Sequence, residues 1–179
     1  DSVDIFQEGF RIGPTRIVDR GKLDEQILGL IALNSRFPTS IVGDLMAEFT
    51  ACRTGVECFQ SIVERFGWLQ VASSIHEIFV QAESMDRESV RAIPDGEYSA
   101  EGSLDNDGVT DDPVDVKVTV RIDGDEMEVD LSGSSAQCTG SVNCGLVQTR
   151  SAIEQAFKFL VNPTATVSGG NFRNLRTVV

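Results

Sequence analysis

The sequence predicts an α+β fold: a helical hairpin or bundle packed on an antiparallel β meander, with a further C-terminal helix and strand. Three observations carry this. From Leu23 to Arg91 apolar residues recur every three or four positions, the spacing of one helix face. After "IPDGEY" (93–98) the spacing shortens to every second residue, that of a half-buried strand. From Leu146 to Val161 the helical spacing returns. The change divides the chain into an extended N-terminal segment plus three-helix region, 1–94, and a meander with a C-terminal helix and strand, 95–179. A chain that opens on Asp1 and closes on "RTVV" is expected to be a fragment of a larger one.

Residues 3–12, "VDIFQEGFRI", read as extended, and Gly13-Pro14 as a turn. A first helix is expected from about Leu23 to Ser35, with Leu23, Ile27, Leu30 and Ile31 on one face and Asp24 and Glu25 in its first turn. Pro38 is expected to follow its end. A second helix, capped by Thr39 or Ser40, carries Leu45, Phe49, Cys52, Val56, Phe59, Val63 and Phe66 in a heptad-like stripe that Gly67 ends. Cys52 on that stripe reads as a small buried hydrophobe. A third helix, from near Trp68 to about Arg91, carries Trp68, Ala72, Ile75, Phe79 and Ala82. One glycine between the two makes them an antiparallel hairpin or a sharply bent pair. Glu83 and Arg87, four apart, can pair for a few tenths of a kcal/mol.

In the meander, Tyr98, Ala100, Gly102 and Leu104 share one face. Val114, Val116, Val118, Val120 and Ile122 continue it, then Met127, Val129 and Leu131. Asp123-Gly124 marks a tight hairpin. The loop "SGSSAQCTGSVNCG" (132–145) leads to a helix from about Leu146 to Val161, expected to bury Ile153, Phe157, Leu160 and Val161. Asn162-Pro163 ends it, and "SGGNFRNLRTVV" turns into a strand.

The charge distribution narrows the function. The net charge is −13, and residues 95–132 hold 13 acids against Lys117 and Arg121. No basic footprint exists for nucleic acid, and an anionic membrane surface is disfavoured. The four cysteines, Cys52, Cys58, Cys138 and Cys144, lack the spacing of a zinc site, and the single histidine, His76, builds no catalytic triad. A reduced, cytoplasmic chain is the expectation.

The densest acidic stretch is "LDNDGVTDDP" (104–113). Read as a calcium loop from Ser103, it offers Asp105, Asp107 and Gly108 in register, but Val114 stands where the bidentate carboxylate is needed. An acidic inter-strand loop is the preferred reading. "GSSAQCTG" has the small residues of a phosphate loop without its GK[ST] ending, so a strand-to-helix turn is preferred.

Seven motifs then appear in order: "FQEGFRI", "N-x-R-x-P" (34–38), "GDL-x-A" (43–47), "IPDGEY", "D-x-DGV" (105–109), "VDLSGSSAQ-x-x-GSVN" (129–143) and "GGNFR" (169–173). Together they resemble the hydantoinase B/5-oxoprolinase family, with N-methylhydantoinase B subunits and acetone and acetophenone carboxylase subunits among its relatives. The resemblance implies part of a subunit that takes part in ATP-dependent hydrolysis of a cyclic amide (hydantoin, 5-oxoproline or another lactam). Its partner would be a hydantoinase A-type subunit or domain that uses ATP and Mg, in an oligomeric enzyme. A non-catalytic assembly domain of that enzyme, or of an ATP-dependent ketone carboxylase, is the alternative. The resemblance points to Glu8, Arg11, Asp107 and Asn143 as catalytic candidates, and to Gly9, Ser134, Ser135 and Gln137 for substrate. It implies no metal or cofactor on this chain. The family's histidine-and-aspartate metal motif would lie upstream of "QEG", on the full-length parent.

Overall fold

A computed structural model describes residues 10–179. Its contacts fall into two compact units, which divide between Val71 and Ala72.

The first unit begins with a two-stranded ribbon, β1 (Val18–Asp19) and β2 (Lys22–Leu23). Arg20 and Gly21 turn between them with positive φ, a pair too short to leave an alternating signature. Helix α1 (Glu25–Leu33) follows. Asp24 caps it, accepting from the backbone N–H groups of Gln26 and Ile27. Helix α2 (Pro38–Phe66) starts ahead of Thr39 and Ser40, so neither caps it. Pro38 sits in its first turn, where its missing N–H has no helical partner to lose. Gly67, at φ +79, ends it.

The heptad-like stripe of α2 is present as a helix face, but it is not buried. No residue of α2 is buried, Val56, Phe59 and Phe66 are exposed, and so is Cys52, against the expectation of a buried thiol. Periodicity fixes which residues share a face; it says nothing about what covers that face.

The second unit holds the main sheet. Helix α3 (Trp68–Arg91) enters it from residue 72. Trp68, placed on its apolar stripe by spacing, is exposed. The buried line of α3 instead continues past Ala82 to Asp86 and Val90. Glu83 pairs with Arg87 as the spacing predicts, at 3.0 Å. Arg87 also reaches Asp125 and Glu126.

Strands β3 (Gly96–Leu104), β4 (Val114–Asp123) and β5 (Glu126–Asp130) form the predicted antiparallel meander. Their register opposes apolar to apolar: Ala100 to Val118, Tyr98 to Val120, Val120 to Val129 and Ile122 to Met127. Gly124, at φ +60, takes the first position of the β4–β5 turn, which suits a glycine.

The sheet exceeds the meander by one strand. β6 (Leu175–Val178) lies parallel to β5, giving the order β3-β4-β5-β6 and a mixed sheet. Helix α4 (Leu146–Val161) provides the crossover between those parallel strands. Its bounds match the expectation, and Ile153 and Phe157 are buried, whereas Leu160 is exposed. These two side chains join Val90, Ile122, Met127 and Val129 in the core, with Phe172 edge-on to Phe157.

Candidate functional site

The 105–112 turn and the 132–145 loop meet, and Asp107 makes the junction. The residue is 2% exposed. One carboxylate oxygen accepts from the N–H groups of Val109 (2.8 Å) and Thr110 (2.6 Å) and from the Thr110 hydroxyl. The other accepts from Gly140 N–H at 2.8 Å. The backbone donors of Thr110, Val109 and Gly140 hold this carboxyl at about 2, below its ordinary 3.8. Asp107 is therefore charged and surrounded by protein donors. Asp105, Asp111 and Asp112 are exposed. The two segments approach so closely that a Cβ on Gly140 would lie 1.8 Å from the Asp107 carbonyl oxygen.

The loop's serines serve the sheet edge. β5 pairs with β4 only from Thr119 to Asp123, which leaves the first half of β4 open on that side. Ser135 N–H donates to the Asp115 carbonyl, and its hydroxyl accepts from Asp115 N–H, both at 2.9 Å. The Ser134 hydroxyl accepts from Lys117 N–H at 3.0 Å and donates to the Lys117 carbonyl at 3.2 Å. Two side chains thus stand in for missing ladder bonds. Asn143 closes the far end of the loop. Its carbonyl accepts from Cys138 N–H, and its amide donates to the carbonyls of Cys138 and Gly140.

Behind the loop lies a hollow of about 940 Å³ between the apolar face of the sheet and α4. Val116, Val118, Val129 and Leu131 form one wall, and Ala152, Ala156 and Leu160 the other. Ser134, Ser135, Gln137 and Asn143 all stand at its loop end. The structure thus brings together four of the candidates, with Asp107 fastening the loop that carries them. Among the described residues the Gln137 amide makes no hydrogen bond, unlike that of Asn143. Arg11 is exposed and lies in the other unit, while Glu8 and Gly9 fall outside the described residues.

A second polar cluster was not singled out by the sequence. Asp86, 1% exposed, accepts from the Asn171 amide at 2.9 Å and from Phe172 N–H at 3.2 Å. Asn174, also 1% exposed, donates to the Asp125 carbonyl. One oxygen on each of Asp86 and Asn174 is buried without a partner. The signal available was position: Asp86 stands four residues beyond Ala82 on the same helix face. Phe79 packs here so tightly that a Cβ on Gly170 would lie 2.0 Å from its carbonyl oxygen. Among the described residues no group of three or more His, Cys, Asp or Glu is placed to hold a metal ion. No described helix is long and apolar enough to cross a membrane.

Comparison with known proteins gives a consistent picture. A family model described as Hydantoinase B/oxoprolinase matches residues 1–179. The inferred B subunit of a D-/L-hydantoinase from Pseudomonas sp. (strain NS671) is 34% identical over 154 residues, covering 83% of this chain and 26% of the relative. The beta subunit of caprolactamase from Pseudomonas jessenii is 32% identical over 129 residues, covering 72% of this chain and 22% of the relative. The crystal structure of ATP-dependent caprolactamase from Pseudomonas jessenii superposes with a TM-score of 0.89 at 26% identity, covering 98% of this chain and 30% of that one. The chain thus spans between 22% and 30% of the length of these relatives.

Proposed function

Because the chain belongs to the Hydantoinase B/oxoprolinase family, we propose that it forms part of a B-type subunit in an ATP-dependent enzyme that opens cyclic amides. The observation that carries this reading is the superposition on ATP-dependent caprolactamase over 98% of the chain. An amide oxygen is a poor leaving group. Phosphorylating it makes the ring carbon electrophilic. Water adds there, the ring C–N bond breaks as the nitrogen leaves protonated as an amine, and hydrolysis of the resulting acyl phosphate releases phosphate and the ring-opened acid. In this reading ATP and Mg are handled by a hydantoinase A-type partner, and any divalent metal belongs to other parts of the parent. The chain described here supplies the sheet, α4 and the 132–145 loop. Those elements shape a hollow beside Ser134, Ser135, Gln137 and Asn143.

The test is reconstitution of the parent subunit with its ATP-using partner. ATP hydrolysis that depends on an added lactam or hydantoin, with ring opening in step, supports the reading. A pair that hydrolyses ATP but opens none of hydantoin, 5-oxoproline or caprolactam overturns it.

A second reading is favoured by one observation, the exposed apolar stripe of α2. A ridge of this kind marks an interface, so the region around α2 would act in assembly and not in chemistry. Turnover of a cyclic amide by the 179-residue chain alone would refute that reading.

A further inference from the structure

We propose that the outer edge of β3 is an interface whose occupant is the β3 strand of a second copy of this chain. The two strands pair antiparallel about Ala100 and join the two four-stranded sheets into one. This goes beyond the cyclic-amide reading and does not depend on it.

In the order β3-β4-β5-β6, β3 pairs with β4 alone, and among the described residues no strand lies on its other side. All nine of its residues, Gly96–Leu104, are exposed. An edge of this length is a template for another strand unless the fold blunts it. The molecule blunts its other open edges. β6 is only four residues long, and Ser134 and Ser135 close the half of β4 that β5 leaves open. β3 carries no such device. It holds no proline and no lysine, and its uninterrupted register with β4 contains no bulge. On its apolar face Tyr98 and Leu104 stay 45% and 46% exposed.

The strand is complementary to itself in one register. Centred on Ala100, an antiparallel pair sets Glu97 opposite Ser103, Ser99 opposite Glu101, Tyr98 opposite Gly102 and Gly96 opposite Leu104. No acid meets an acid. Sliding by two residues places Glu101 opposite its own copy in one direction, or Glu97 opposite Glu101 in the other, and like charges directly opposite are destabilising. The sizes also fit. A Cβ at Gly102 would meet nothing within 4 Å, so the space over it is open to the second copy's Tyr98, and an aromatic ring covers an edge glycine well. The Tyr98 ring leans back toward Gly96, 3.9 Å from where a Cβ would stand. That is the position the second copy's Leu104 faces. Apolar side chains thus meet only one another across the join. The two-fold axis at Ala100 makes the contact isologous, so each pair occurs twice.

The experiment is sedimentation equilibrium on the 179-residue chain, then on the parent subunit without its ATP-using partner. A monomer–dimer equilibrium is expected. Ser99→Glu sets a carboxylate against the second copy's Glu101 twice over, and raises Kd about fivefold. Ser99→Lys sets an ammonium there and lowers Kd about fivefold, a gain that misfolding cannot produce. Ser99→Glu combined with Glu101→Lys restores opposite charges and brings Kd back below that of Ser99→Glu alone. A chain that stays monomeric at about 100 μM overturns the proposal. So does a dimer whose Kd agrees within about twofold between Ser99→Glu and Ser99→Lys, which would place the contact on another face such as the α2 stripe. A double variant no tighter than Ser99→Glu refutes the register. A parent subunit whose self-association ignores both Ser99 variants gives the edge to another strand of the parent, and overturns the proposal as well.

Discussion

Replacing Gly140 by alanine tests the junction on which the candidate site depends. The added Cβ would lie 1.8 Å from the Asp107 carbonyl oxygen, 2.7 Å from its carbonyl carbon and 2.9 Å from its carboxyl carbon. Non-bonded carbons settle at about 3.5–4.0 Å, so the two segments must part by roughly 1.5 Å. The nearest atoms are backbone, held in place by the sheet on one side and the Asn143 clamp on the other, so neither yields cheaply. Parting them also stretches the Gly140 N–H bond to Asp107 from 2.8 Å past the range in which such bonds hold. Overpacking of this kind costs about 1–3 kcal/mol. For a chain of this size that is a fall in Tm of about 4–8 °C at the middle of the range. The assay is thermal unfolding followed by circular dichroism. Gly133→Ala is the control, because the atom its Cβ would meet, at 3.0 Å, is Cδ of the flexible Lys117 side chain. Its Tm should move by less than about 2 °C. If Gly140→Ala melts within about 1 °C of the parent sequence, the close approach of turn and loop is wrong.

Three further outcomes follow from the same geometry. The Asp107 carboxyl sits at about 2 when folded and at 3.8 ordinarily, so it favours the folded state above pH 3.8 and loses that effect as pH falls toward 2; Asp107→Asn should flatten the Tm–pH curve over that window, and an unchanged slope would refute the assignment. Gly170→Ala, whose Cβ would meet the Phe79 carbonyl at 2.0 Å, should lower Tm, whereas Gly55→Ala, inside α2 with open space around it, should raise stability by about 0.5–1 kcal/mol. Asp86→Ala leaves the Asn171 amide and Phe172 N–H without their acceptor and should cost about 1–3 kcal/mol in a denaturant titration; Asp86→Asn, which keeps an acceptor oxygen, should cost less, and equal losses would refute the role given to that oxygen.

What the sequence made legible was local. The ends of α4 are written in Gly145 and in Asn162-Pro163, and the β4–β5 turn in Gly124, because each depends on a few adjacent residues. The alternating apolar positions predicted which faces of β3, β4 and β5 agree, and the register bears this out residue by residue. Long-range pairing was not legible. β6 joins the sheet parallel to β5 across a gap of more than forty residues, and no local pattern reports a partner that far away. Asp86 was missed for a related reason. A carboxylate on a helix reads as solvent-facing until the donors that bury it, Asn171 and Phe172, arrive from the other end of the chain.

The candidate site shows the same limit from the opposite side. Its small and polar residues read as a ligand cradle, yet most have an occupation inside the fold. Ser134 and Ser135 complete the open edge of β4, a need created by the shortness of β5. Gly140 is small because Asp107 lies against it, and Asp107 is acidic because three backbone donors converge on it. Asn143 holds the loop in the shape that presents Gly140. Each of these residues can therefore persist for folding alone, whatever the loop binds. Gln137 is different. It lines the hollow, its amide is uncommitted among the described residues, and no turn, cap or strand edge explains its presence. A side chain that the fold does not require is the place where recognition of a ligand is separable from stability. Gln137→Ala should consequently leave Tm within about 2 °C of the parent sequence, where Gly140→Ala lowers it, and a larger fall would show that the fold does require this side chain.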